Sequence, residues 1–132
     1  MDHEVRNDTT RRFIAALRKV EQDGDLDGLA TLFTDDAEVR SIDGHGPRRG
    51  QDGIRELFGE YVGQFESLRT TFTQVTEGEQ HAALEWTTEA VRPGGHEVEY
   101  TGVTVIDLDG DRCSGFRTVY DSARLMQKVA PG

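Results

Sequence analysis

Residues Gly24 to Phe58 read GDLDGLATLFTDDAEVRSIDGHGPRRGQDGIRELF, and their punctuation decides the fold class. Leu26, Leu29, Ala30 and Phe33 recur at helical spacing, so a short helix is expected there. Asp35 and Asp36 stop it. Ala37 to Asp43 then alternates like a half-buried strand, and Gly44, Gly46 and Pro47 break that strand. Ile54, Leu57, Phe58, Tyr61, Val62 and Phe65 form one apolar stripe, so a longer helix follows. Helix, strand, turn and helix within so few residues point to helices laid against a sheet.

On the N-terminal side, Met1 to Asn7 is expected to be a loose tail. Asp8 or Thr9 caps a first helix, whose apolar face is Phe13, Leu17 and Val20 with Ile14 and Ala16 beside them. Gln22-Asp23-Gly24 ends it. On the C-terminal side the pattern changes to strand. Leu68 to Glu77 is rich in Thr, with Phe72 and Val75. Gln80 to Val91 alternates, with Leu84, Trp86, Thr88 and Ala90 on one face. Pro93-Gly94-Gly95 and Asp109-Gly110 are hairpin signals, which delimit strands over His96 to Asp107 and Arg112 to Tyr120. A last helical turn is expected over Ser122 to Val129. Helices come first with one early strand, then four consecutive antiparallel strands, which is an α+β pattern.

The chain has 132 residues, enough for one real core, and residues 1–132 are expected to form a single domain with its core over about 8–128. A formal net charge of −10 argues against binding nucleic-acid phosphates or an anionic membrane surface. The start, MDHEVRNDTT, lacks the apolar core of a signal peptide, and no apolar run approaches a membrane span. Cys113 is the single cysteine, so no internal disulfide is expected. A soluble, cytoplasmic protein is expected.

Gly24-Asp25-Leu26-Asp27-Gly28, then Asp35-Asp36-Ala37-x-Val39, then Gly50 followed by Ile54-Arg55-x-x-Phe58, and finally Phe116-Arg117-x-x-Tyr120-Asp121 together carry a resemblance. Their order and spacing resemble the SnoaL-like and ketosteroid-isomerase-like branch of the nuclear transport factor 2 superfamily, from about Arg12 to Gln127. The resemblance implies a cone-shaped α+β fold, with N-terminal helices packed on a curved, mainly antiparallel sheet that encloses an apolar pocket. It also implies isomerisation, cyclisation or hydrolysis of a small hydrophobic molecule, or binding alone, and in many members a homodimer. The steroid-isomerase roles do not carry over. The base position, two residues after Val39, is Ser41; the helix-1 tyrosine position falls on Phe13 or Leu17; the oxyanion aspartate position falls near Thr104. The limonene-epoxide-hydrolase branch needs an Arg and two Asp, and one of those Asp positions falls on Thr118, while Trp86 to Thr88 supplies no Arg-x-Asp.

Other motifs have ordinary explanations. Asp23-x-Asp25-x-Asp27-Gly28 matches the first half of a calcium loop, but the closing position six residues after the glycine is Thr34 instead of Glu. A helix N-terminus explains the acids better. His3, His45, His81 and His96 are scattered without metal-ligand spacing, so neither a metal nor a cofactor is expected. Arg48-Arg49 is expected to be a surface basic pair.

Strand parity selects a pocket face. Val39 and Ser41 share one side of the first strand, Trp86 and Thr88 one side of another, then Tyr100 with Thr104, then Phe116 with Thr118 and Tyr120. Leu17, Phe58 and Tyr61 add the helical wall. Such an aromatic, hydroxyl-bearing lining suits an apolar ring-bearing ligand held by a few hydrogen bonds, or simply fills the core; the resemblance implies a polyketide-, steroid- or terpenoid-like ligand. Asp43 and His45 are the nearby pair able to act as base and acid, and they also fit a solvated Asp-Gly-His-Gly turn. A non-catalytic ligand-binding or protein-interaction module is the alternative to an isomerase- or cyclase-type enzyme. The opposite sheet face sets Val103, Val105 and Val119 among Glu85, Thr87, Glu99, Thr101 and Arg117, which suits an isologous interface, so a homodimer is expected.

Overall fold

A computed structural model describes residues 5–41 and 46–121. The elements run α1 (Asp8–Asp23), α2 (Leu26–Ala30), β1 (Phe33–Ser41), β2 (Arg48–Arg49), α3 (Gly50–Val62), β3 (Ser67–Glu77), β4 (His81–Arg92), β5 (His96–Asp109) and β6 (Arg112–Tyr120). Asp43, His45 and the helical turn expected over Ser122 to Val129 lie outside the described residues.

Among the described residues the strands form one curved, unclosed six-stranded sheet in the order β2-β1-β6-β5-β4-β3. All neighbours are antiparallel except β1 with β6, which run parallel. The four C-terminal strands are joined by hairpins in sequence order. β1 closes the far side by pairing with β6, which brings the start of the chain against its end. This is the α+β pattern expected from the order of elements, in the cone shape that the resemblance implies.

α1 begins one residue earlier than expected. The Asn7 side chain accepts from the Thr10 backbone N–H at 3.0 Å and caps the helix. The segment before it is also tied down: the backbone N–H groups of Arg6 and Asn7 each donate to the Glu77 carboxylate at 2.8 Å. The tail reading therefore fails for these two residues. At the other end Gly24 takes φ 72, and its N–H returns to Val20 at 2.9 Å. A left-handed closure of this kind favours glycine because a Cβ would crowd the backbone.

Phe33, placed by periodicity on the short helix, is instead the first residue of β1, fully buried opposite Cys113 of β6. α2 is only five residues long, and Asp25 caps it by accepting from the Gly28 N–H at 3.0 Å. The apolar stripe of α3 also ends sooner than expected, at Val62. Phe65 lies beyond the helix, with its ring stacked on Tyr100 at 6.4 Å. Arg48-Arg49 is a short strand on β1, and Arg48 is clamped by both oxygens of Glu60 at 2.9 and 2.8 Å. The basic pair is thus partly structural.

Phe13 of α1, Phe33 of β1, Phe58 of α3 and Phe116 of β6 meet at the base of the core. Phe116 lies 6.2, 6.3 and 5.5 Å from the other three ring centroids. The outer sheet face keeps Val103 and Val105 half-buried and leaves Val119 exposed at 54 %. No helix among the described residues is long and apolar enough to cross a membrane.

Candidate functional site

The concave face can be read row by row from the strand register. Thr70, Thr88 and Tyr100 lie side by side across β3, β4 and β5. The next row is Phe72, Trp86, Gly102 and Tyr120. Then come Val75, Leu84, Thr104, Thr118 and Ser41, and last Glu77, Ala82, Ile106, Phe116 and Val39. The strand residues expected to share one face therefore occupy adjacent rows. α1 and α3 lie over this face: Tyr61 meets Tyr100, Phe58 meets Phe116, and Glu21 meets Thr70.

Trp86, Tyr100 and Tyr120 come together. Their ring centroids are 5.8 Å apart for Trp86–Tyr100, 6.3 Å for Trp86–Tyr120 and 5.8 Å for Tyr100–Tyr120. Tyr61 joins them from α3, 6.3 Å from Tyr120 and hydroxyl to hydroxyl with Tyr100. Phe116 and Phe58 belong instead to the phenylalanine cluster at the base, and Val39 is buried beside them. Leu17 is half-buried against the core from α1. Phe116, expected on the same pocket face as Trp86, thus sits two rows away from it.

Polar groups on this face pair with one another. The Trp86 indole N–H donates to the Thr104 hydroxyl at 2.9 Å, and that hydroxyl lies 3.0 Å from the Thr118 hydroxyl. The Thr88 hydroxyl lies 2.7 Å from that of Thr70. Burial raises the pKa of both Tyr61 and Tyr100 above the ordinary phenol value, and the charges of Tyr120 and Glu21 push the same way. Both phenols are therefore neutral at physiological pH, and one donates its hydroxyl to the other.

Glu21 is the ionisable group at this site that the sequence did not reveal. Its carboxylate accepts from the Thr70 backbone N–H at 3.0 Å and from the Thr70 hydroxyl at 2.6 Å. Desolvation raises its pKa, against the lowering effects of the Thr70 bonds and of Arg18. It sits on the flank of the Phe13–Leu17–Val20 stripe, and its partner is 49 residues away, so no local spacing pointed to it. The sign of its linkage is clear. With a folded pKa above the unfolded one, Glu21 adds stability below the ordinary carboxylate range, and that contribution is lost as pH rises through the raised value. Urea midpoints across that window should therefore fall less steeply with rising pH in Glu21→Gln than in the parent. Parallel profiles would show that burial does not perturb this group.

Beyond Glu21, a groove of about 740 Å³ runs between α1 and the edge strand β3. Cys113 is buried with its thiol pKa pushed up to about 12, so it is a poor nucleophile. Among the described residues no three His, Cys, Asp or Glu side chains gather as metal ligands. Asp25 is occupied as a helix cap, and Asp27 pairs with Arg55 at 2.7 Å.

Comparison with known proteins places this geometry. A family model described as the SnoaL-like domain matches residues 10–115. An NTF2-like protein from Anabaena variabilis superposes with a TM-score of 0.81 at 16 % identity, covering 93 % of this chain and 98 % of that one. IdmH of Streptomyces antibioticus, a proposed polyketide cyclase, gives 0.76 at 18 % identity over 91 % and 96 %. An LEH-like epoxide hydrolase of M. tuberculosis gives 0.68 at 17 % identity over 88 % and 85 %. At these identities the likeness shows the fold alone.

Proposed function

The chain belongs to the SnoaL-like domain family, and from that membership we propose that it binds a small, ring-bearing apolar molecule on the concave face of its sheet. The observation that carries this is the convergence of Trp86, Tyr100, Tyr120 and Tyr61 beside the Thr104–Thr118 hydroxyl pair. Flat aromatic walls give a planar ligand a large contact area, and a few fixed hydroxyls orient its oxygens. A polyketide-, steroid- or terpenoid-like molecule fits that chemistry. Two structural relatives are named for polyketide cyclisation and epoxide hydrolysis.

The catalysis proposed is isomerisation, cyclisation or hydration by proton transfer. Asp43 and His45 are the proposed base and acid, two and four residues beyond Ser41 in sequence. Glu21 is the competing carboxylate. A non-catalytic binding module is the second reading, and one observation favours it: Trp86, Thr104 and Thr118 satisfy one another, as do Tyr61 and Tyr100. These groups need no substrate to complete their hydrogen bonds.

Trp86 is the only tryptophan, so its fluorescence should report occupancy. Titration with polyketide- and steroid-like ring compounds is expected to change the emission saturably. Retention of the ligand on Trp86→Ala, measured by equilibrium dialysis, should drop by about tenfold, the scale of one lost aromatic contact. Asp43→Asn should abolish turnover while leaving binding intact, because the amide keeps the shape but cannot take a proton. Saturable binding without turnover in the parent would decide for the binding module. A panel that leaves Trp86 emission unchanged would sink the site itself.

A further inference from the structure

The groove between α1 and β3 meets the row of aromatic side chains at Phe72 and has a chemistry of its own. Ile14 and Ala15 face it from α1, and Leu68, Phe72 and Val75 from β3. These make an apolar trough on the flank of the helix. Glu21, the one carboxylate of the lining, holds the N–H and hydroxyl of Thr70. Farther along β3, Glu77 holds the N–H groups of Arg6 and Asn7.

The charge along the trough is opposite to that of the molecule. The chain carries −10 overall, yet Arg11, Arg18 and Arg69 line the groove against one carboxylate, Glu21. Both Glu21 oxygens accept from Thr70, so this acid is poorly placed to receive an amine. Arg11 is drawn away to Asp8 and to the Val5 and Arg6 carbonyls. Arg18, whose charge already acts on Glu21, and Arg69, next to Thr70, are the other cations of the lining. An added peptide strand is disfavoured as an occupant. Glu21 already takes the outward N–H of Thr70, and a register shift between Phe72 and Gln74 kinks the edge.

We propose that this groove is a second binding site, for an apolar carboxylic acid whose hydrocarbon or ring body lies along Ile14, Leu68, Phe72 and Val75 and whose carboxylate meets Arg18 and Arg69. The volume is in the range that holds a drug-sized ligand, and guanidinium groups recognise carboxylates through paired N–H donors. The site borders the aromatic row at Phe72 and abuts Glu21, but it makes no use of Trp86 or of Asp43 and His45.

The test uses the full chain and a fluorescent fatty acid, cis-parinaric acid, whose own emission rises in apolar surroundings. Binding is expected to saturate, and dodecanoate is expected to displace the probe while dodecanol, with the same chain and no charge, displaces it about tenfold less well. Arg69→Glu, at an exposed position, should weaken dodecanoate by about tenfold or more and leave dodecanol unchanged. Ala15→Trp, also exposed, fills the groove without disturbing the core and should abolish probe binding. Trp86→Phe should bind the probe as the parent does. The proposal is overturned if acid and alcohol compete equally, if Ala15→Trp binds the probe as the parent does, or if no saturable binding is seen.

Discussion

Phe116→Ala is expected to destabilise the fold by about 3–5 kcal/mol, the range for removing a buried aromatic ring from a packed core. Phe116 is 2 % exposed, and its ring touches Phe13 of α1, Phe33 of β1 and Phe58 of α3. Those three elements and β6 come from both ends of the described chain. The hole left by the ring cannot close by one side chain shifting, because its walls belong to two helices and two paired strands. A loss at the upper end of the range is a large part of the stability of a domain this size, so the variant should unfold at much lower urea than the parent. A drop under about 1 kcal/mol would mean that the cluster relaxes into the space, and that the base of the cone is loosely packed. Phe116→Leu should recover most of the loss, since it restores volume without the ring contacts.

The same cluster shows what could be read from the sequence and what could not. β6 was legible to the residue, and so was the buried parity of β4, because period-two alternation bounded by hairpin glycines is a local signal. Leu84, Trp86, Thr88 and Ala90 are all buried. Phe33 was misplaced because a spacing of three or four residues fits the end of a short helix as well as the start of a strand. What settles it is the parallel pairing of β1 with β6, a contact 80 residues away in sequence (Phe33 opposite Cys113). No pattern within one segment carries that information. Phe65 was drawn into the α3 stripe for the same reason: it follows the helical spacing, but the chain has already left the helix at Gly63.

The candidate site divides along the same line. The sheet residues that share the concave face were legible because parity alone assigns them. Which of them touch was not, since that depends on register: Tyr120 reaches Trp86 through Gly102, while Phe116 falls two rows away. Glu21 was invisible for a stronger reason. A glutamate on a helix flank is ordinary, and only the fold brings it to Thr70, where burial makes its ionisation costly. Arg48 looks like a surface cation in the sequence because its partner Glu60 lies on a different element, α3.

Gly102→Val should cost about 3 kcal/mol, at the upper end of overpacking penalties, and should also move the Trp86 ring. Gly102 lies between Trp86 and Tyr120 in the same row. A Cβ built there would overlap the Trp86 six-membered ring and would stand 2.6 Å from the Val119 carbonyl oxygen. The carbonyl belongs to the neighbouring strand and cannot give way without breaking the β5–β6 pairing. The indole can rotate, but rotation draws its N–H from the Thr104 hydroxyl, at 2.9 Å, and drives the ring into Tyr100 and Tyr120. A buried indole N–H left without a partner costs about 1–3 kcal/mol by itself. Either route damages the face on which the ring-bearing ligand is proposed to lie. The variant should therefore show a lowered urea midpoint, a red-shifted Trp86 emission as the indole meets water, and loss of the ligand-induced fluorescence change. Gly102→Ala should show the same three effects in weaker form, since one methyl already overlaps the indole. Unchanged emission with parent-like stability would mean that the Trp86 ring does not lie across Gly102, and the aromatic face would have to be rebuilt around a different rotamer.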